Sequence, residues 1–239
     1  MLRIKIGLWA VLTIMSFSFA HAQSADDIIN HYIDAIGGKD NLSKINSVSM
    51  EASAQVMGND NPVVVDIING KAYKSVTEFN GQKFVRVYTD KGGWTINPFA
   101  GGSDAVALPE NEFKSVKSDM YVGGALYGYA VNHAGTVKLD GTDGGTYKIQ
   151  YTSPDSVEST YYIDTASYLL TKMVRQGQMQ GQDVEVTTTF SDYRKTPEGV
   201  LFPYTTDVDF GGNFSMSTTL KKVEINKTID PSIFDMPKS

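Results

Sequence analysis

Cysteine is absent from all 239 residues. Disulfides and thiol catalysis go with it, and so does the acylated cysteine that a lipid-anchored protein carries directly behind its leader. Histidine is nearly as scarce. Apart from His21, only His31 and His133 occur, with no H-x-H or H-x-x-x-H spacing from which a zinc site could start. Each reads as a satisfied or solvent-facing side chain. Neither a G-x-S-x-G elbow nor a Walker loop is present. The six Gly-Gly pairs sit in turns, not between a strand and a helix, so none makes a phosphate cradle. An excess of positive charge is also missing, since the formal net charge is −6. That sign speaks against nucleic acid and against an anionic membrane surface. Nothing here asks for a cofactor or a metal.

Long apolar runs are limited to one, at the N-terminus. Arg3 and Lys5 precede the run from Gly7 to Phe19, and Ala20-His21-Ala22 has small-x-small cleavage spacing. The run is short of the ~20 residues that a transmembrane helix needs. Residues 1–22 are therefore expected to be a cleaved signal peptide, with residues 23–239 forming one domain secreted to the periplasm without lipidation. Losing Arg3 and Lys5 moves the net charge from −6 to −8. With 41% hydrophobic and 11% aromatic residues, the chain can build a sizeable core.

The stretch from Gly81 to Gly102 organises the rest. Asn80-Gly81 has hairpin chemistry, Gln82 to Thr89 alternates as a strand, and Asp90 to Gly93 is a tight turn. Trp94 to Asn97 follows as a short strand, holding the single tryptophan beyond the leader, and a Pro-Phe-Ala-Gly-Gly loop closes the stretch. Before it, Ser24 to Gly37 reads as a helix. Ser24 is its N-cap, Asp27 a weak capping-box partner, and Ile28, Ile29, Tyr32, Ile33 and Ile36 its apolar stripe. Asp40 to Ile45 adds a helical turn. From Val48 the period changes to two, with small inward residues at Ala52 and Ala54. A turn at Gly58 to Pro62 and strands over Val63 to Ile68 and Lys71 to Phe79 lead to the central stretch.

After Gly102, Pro109 opens a helix with Phe113, Val116 and Met120 on one side, ended by Gly123-Gly124. Leu126, Tyr127 and Tyr129 add apolar surface, and His133 falls in a Tyr/Gly-rich loop. The second half returns to strands: Thr136 to Leu139, Thr146 to Tyr151, Ser159 to Ile163, Leu169 to Gln176, Asp183 to Tyr193, Val200 to Phe210 and Phe214 to Ile225. Strands spaced by turn signals, with helices at the front and middle, predict a mainly β (α+β) fold. Its antiparallel sheet curls around a helical insert. Ile229 to Pro237 reads as a capping tail anchored by Ile233 and Phe234.

Acid/base chemistry has candidates in Glu110 with Glu112, Asp164, Glu185, and Asp207 with Asp209. Solvated strand faces explain the same residues. The aromatic content is the better lead, because a curled sheet with large apolar residues on its concave face makes a cavity suited to acyl chains. The candidate ligand-binding residues are Met50, Phe84, Tyr88, Trp94, Phe99, Phe113, Val116 and Met120. Arg86 is the polar candidate; it shares a strand face with Phe84 and Tyr88, and either face of that strand is open to being the inner one.

Five segments carry a family resemblance: Ile28 to Glu51, Gly92 to Gly102 (GGWTINPFAGG), Tyr161 to Met173, Phe190 to Tyr204 and the ending Ile229 to Pro237 (IDPSIFDMP). Together they resemble Bacteroidetes envelope proteins described as outer-membrane lipoprotein-sorting or LolA/LolB-like. The resemblance implies an unclosed antiparallel β-barrel of about 10–11 strands, plugged by helices over an apolar cavity. It further implies a non-enzymatic soluble carrier, a monomer that chaperones a lipid or acylated lipoprotein toward the outer membrane. Membrane proteins would load and unload it, and a functional arginine would stand near the cavity. Two rivals remain from the residues themselves: a partner-binding envelope protein with a self-filled barrel, and a carbohydrate-active enzyme using a carboxylate pair.

Overall fold

The structure is a computed structural model that describes residues 23–56, 58–98, 102–179, 182–212 and 214–237. The expected leader and Phe99 lie outside the described residues.

Helix α1 (Ala25–Ala35) starts where the sequence signals it. The Ser24 side chain accepts from the Asp27 backbone N–H, and the Asp27 carboxylate accepts from the Ser24 N–H. Its predicted stripe is buried to the last residue, from Ile28 to Ile36. Short helix α2 (Lys39–Leu42) follows. The strands β1 (Ser47–Val56), β2 (Asn59–Ile68), β3 (Ala72–Phe79), β4 (Gln82–Thr89), β5 (Gly92–Ile96) and β6 (Val106–Ala107) then form a meander. A helical insert comes next: α3 (Glu110–Val116), a 3-10 turn (Lys117–Met120) and α4 (Gly124–Asn132). The second meander comprises β7 (Thr136–Asp143), β8 (Thr146–Thr152), β9 (Glu158–Asp164), β10 (Leu170–Met179), β11 (Gln182–Lys195), β12 (Leu201–Phe210) and β13 (Ser215–Ile225).

The thirteen strands among the described residues belong to one antiparallel sheet, ordered β6-β5-β4-β3-β2-β1-β13-β12-β11-β10-β9-β8-β7. The two meanders join at β1 and β13, where Val48 faces Ile225 and Met50 faces Val223. The outermost strands are β6 and β7, which do not pair, so the barrel stays open. The insert is the segment of chain that runs from one open edge to the other. The expected count of about 10–11 strands was low. Each predicted segment forms a strand of its own, and the two-residue β6 is too short to leave a pattern.

Three differences from the sequence reading concern local structure. The expected turn from Gly58 to Pro62 is mostly strand, because Asn59 to Pro62 pair with Ser53 to Val56. The helix expected from Pro109 to Met120 tightens into a 3-10 turn after Val116. The residues after Gly123-Gly124 form α4, and His133 is not a loop residue but the left-handed C-cap of that helix. Helix α4 escaped because it buries Ala125, Leu126, Tyr127 and Gly128 consecutively, leaving no one-sided stripe. Gly123 caps it at φ 95, a left-handed conformation that glycine adopts without strain.

The main core lies on the concave face. There α1 and α4 pack Ile28, Ile29, Ile33 and Leu126 onto Val48, Ile149, Ile163 and Val200. Each fully buried aliphatic of this kind contributes about 1.5–3 kcal/mol. A smaller core lies on the opposite face, where Val85, Val87, Ala72 and Trp94 bury Phe234 of the C-terminal 3-10 turn Pro231–Phe234. The predicted tail anchors, Ile233 and Phe234, are both in it.

Candidate functional site

Strand β4 decides which face matters. Val85 and Val87 point to the outer core, so Phe84, Arg86 and Tyr88 line the concave face beneath the insert. Tyr88 is buried with Val116 and Met120, and Tyr73, Leu108 and Phe113 pack against them. The Tyr73 and Tyr88 rings stack with centroids 5.2 Å apart. Four of the predicted ligand-binding residues, Tyr88, Phe113, Val116 and Met120, thus come together. Phe84 stands next to them on β4, its ring 5.7 Å from the Arg86 guanidinium carbon. Met50 is on the same concave face but packs against the main core. Trp94 is not brought to this group. It is buried on the opposite face, and its indole N–H donates to the Phe234 carbonyl at 2.9 Å.

Charge enters this apolar setting from both halves of the sheet. Arg86 Nη2 donates to Glu112 Oε1 of α3 at 2.9 Å, with both side chains about one-third exposed. Arg86 Nε is buried and has no hydrogen-bond partner. On β10, Arg175 shares the inward register of Met173, which faces Tyr161 on β9. Its Nη1 donates to the Ser115 carbonyl at 3.2 Å and lies 3.5 Å from Asp119 Oδ1. Between β4 and β10 the sheet places six other strands. Two arginines from distant strands therefore grip one short segment, residues 112–119.

Burial pushes the Asp119 carboxyl above the ordinary aspartate range, against the pull of Arg175 and, more weakly, of Arg86. Arg175 is held more firmly protonated, first by Asp119. The phenols of Tyr73, Tyr88 and Tyr161 are raised by burial and stay neutral. Asp119 keeps 35% of its side-chain surface open, and it lines a cavity.

That cavity, of about 260 Å³, lies between α1, α4 and strands β10 to β12. Its walls are mostly apolar and aromatic, with Tyr32, Leu126, Tyr161, Met173, Phe190 and Phe202 among them, and Ser118 and Asp119 add polar groups. A second cavity of about 190 Å³ on the other side of Tyr121 shares Ser118, Tyr121, Ala125 and Tyr161 as a common wall. A wider cleft of about 480 Å³ lies against the C-terminal tail, lined by charges of both signs such as Glu51, Asp66 and Lys227.

The carboxylates considered for acid/base work are dispersed. Glu110 pairs with Lys114 one helical turn on, and Glu112 pairs with Arg86. Asp207 and Asp209 alternate with Val208, whose partner Thr188 is buried, and so share the outer face of β12. The His31 and Tyr168 rings meet at a tilt, with centroids 4.7 Å apart. Among the described residues, no group of three or more His, Asp or Glu is placed to hold a metal ion. Arg175 and Asp119 are functional candidates that no local sequence pattern singles out. The signal for Arg175 was its place two residues from Met173, which puts a cation in the same strand register as an apolar residue.

No family model matches the sequence, and no curated protein matches it. Solved structures do match in fold. A LolA superfamily protein from Nitrosomonas europaea aligns with a TM-score of 0.59 at 11% identity, over 90% of this chain and 98% of its own. A DUF1329 family protein from Desulfovibrio piger and an outer membrane lipoprotein-sorting protein domain from Vibrio parahaemolyticus each align with a TM-score of 0.56 at 12% identity, over 87% of this chain and 95% of theirs. The chain has the LolA-like fold, an unclosed antiparallel barrel with helices over its concave face.

Proposed function

We propose that this protein is a non-enzymatic periplasmic binding protein that holds an apolar ligand, a lipid or the acyl chain of a lipoprotein, on the concave face of its open barrel. One observation carries the reading. A mostly apolar cavity is bordered by an insert that two arginines hold through polar contacts, so the contacts that keep it shut can be exchanged without unfolding the sheet. The lipoprotein-sorting description of a neighbour with this fold supports the carrier role. Tyr88, Phe113, Val116 and Met120 would meet the chain as it enters, with Tyr161, Met173 and Phe190 deeper in. Burial of apolar ligand surface contributes roughly 25 cal/mol per Å² before association costs. Delivery toward the outer membrane, with membrane proteins loading and unloading a monomeric carrier, belongs to this reading.

The cavity size favours a second reading. At about 260 Å³ it is smaller than the roughly 300–1,000 Å³ of ordinary ligand pockets, because α1 and α4 fill much of the barrel with their own side chains. A protein that stays this way would be a partner-binding envelope component. Native mass spectrometry of protein isolated from its own cell envelope, followed by organic extraction, separates the two. A bound species of lipid mass supports carriage. A clean apo mass, with no uptake of added acyl lipid or lipopeptide, leaves the self-filled barrel standing.

A further inference from the structure

We propose that the two inward arginines, Arg86 and Arg175, select a single-chain amphiphile with an anionic head, such as a fatty acid. In this view Glu112 and Asp119 stand in for that head while the site is closed. The proposal rests on the carrier reading above and narrows its ligand class.

Glu112 and Asp119 both ride on the insert, while Arg86 and Arg175 are fixed in the sheet. Moving the insert aside withdraws both counter-charges together. Two guanidiniums then face a concavity walled by Tyr73, Tyr88, Tyr161 and Met173, where a cation without a counter-charge is less favourable than a paired one. An uncharged chain entering there leaves both cations stranded. A chain ending in a carboxylate returns one of the two negative charges that the insert took away.

The geometry of Arg86 points the same way. Its guanidinium presents a fork of donors suited to a two-oxygen acceptor. Glu112 uses Nη2 only, and the neighbouring Nε is buried without a partner. A buried charged donor left unmet is uncommon in a folded protein. A carboxylate free to seat itself can take Nε and Nη2 together, which Glu112, tethered to α3, does not.

The test compares dodecanoate with its uncharged methyl ester by equilibrium dialysis of the radiolabelled compounds against the protein. Wild type is expected to bind the acid at least about tenfold more tightly than the ester. Arg86→Gln together with Arg175→Gln should bring the two within about threefold. Glu112→Gln should raise affinity for the acid more than for the ester, a gain that misfolding does not produce. Dodecyl phosphate should follow the acid, and millimolar acetate should not displace it. Equal binding of acid and ester by wild type overturns the proposal, as does a preference that survives loss of both arginines. Displacement by acetate overturns it too, because the site would then serve a small free anion. Binding of the ester alone leaves the carrier reading intact, whereas binding of neither compound defeats both.

Discussion

Arg86 on β4 and Arg175 on β10 hold the same insert from opposite halves of the sheet. One reaches Glu112 at 2.9 Å and the other the Ser115 carbonyl at 3.2 Å. Six strands separate them around the barrel. The sheet is continuous through those strands and open on the other side, so this grip is a polar tie between β4 and β10 across the concave face. Tyr88, Val116 and Met120 supply the apolar part of the closure.

Cutting one side of the grip should loosen the insert more than it weakens the fold. Arg86→Gln is expected to lower unfolding stability by less than about 1 kcal/mol, because the ion pair is part-exposed and screened by water. Tryptic cleavage after Lys114 and Lys117 should nevertheless accelerate several-fold, read by limited proteolysis under native conditions. An unchanged cleavage rate would mean that the apolar contacts alone keep the insert in place.

Trp94 should report on the fold and not on the ligand. Trp94→Ala removes a buried indole from the outer core and is expected to cost about 3–5 kcal/mol. Trp94→Phe should cost less, since it loses mainly the hydrogen bond to the Phe234 carbonyl, worth about 0.5–1.5 kcal/mol. A ligand on the concave face should leave the emission of this tryptophan unshifted. A clear spectral shift on binding would put the ligand on the outer face instead.

The raised carboxyl of Asp119 has a definite sign in pH dependence. A native pKa above the unfolded value means that the folded state binds more protons in the window between the two. The stability this group confers is present in full below the ordinary aspartate pKa and is lost as pH rises through the native value. Asp119→Asn removes that loss. The variant also leaves Arg175 without its counter-charge, so the signature is in the pH dependence: from about pH 3, below the unfolded carboxylate pKa, to pH 7 it should lose less stability than wild type. Thermal denaturation at both pH values checks this. A variant that loses more stability than wild type over that range would show instead that Arg175 holds Asp119 below its unfolded pKa.

Much of the fold could be read from the chain because it is written in periods and turns. The alternation at Val48 to Val56 and the Asn80-Gly81 hairpin each act over a few residues, and both appear where expected. Helix α4 was not legible, since four consecutive buried residues make no stripe and two glycines mark its start. The candidate site was legible only by half. The face shared by Phe84, Arg86 and Tyr88 follows from strand alternation, but whether it points inward depends on where the C-terminal tail docks. Phe234 covering Val85 and Val87 is a contact between residues far apart in the chain. The pairing of Arg175 with Asp119 has the same origin: the sheet brings β10 under the insert, and no local pattern announces it.

The central claim is that an apolar chain enters beneath the insert. Hydrogen–deuterium exchange with and without bound dodecanoate tests it most directly. The account predicts faster exchange across residues 110–120 on binding, as the grip is released, with added protection in β10 to β12 around Met173 and Phe190. Binding that leaves the exchange of residues 110–120 unaltered, or protects them as part of an unmoved wall, would contradict it.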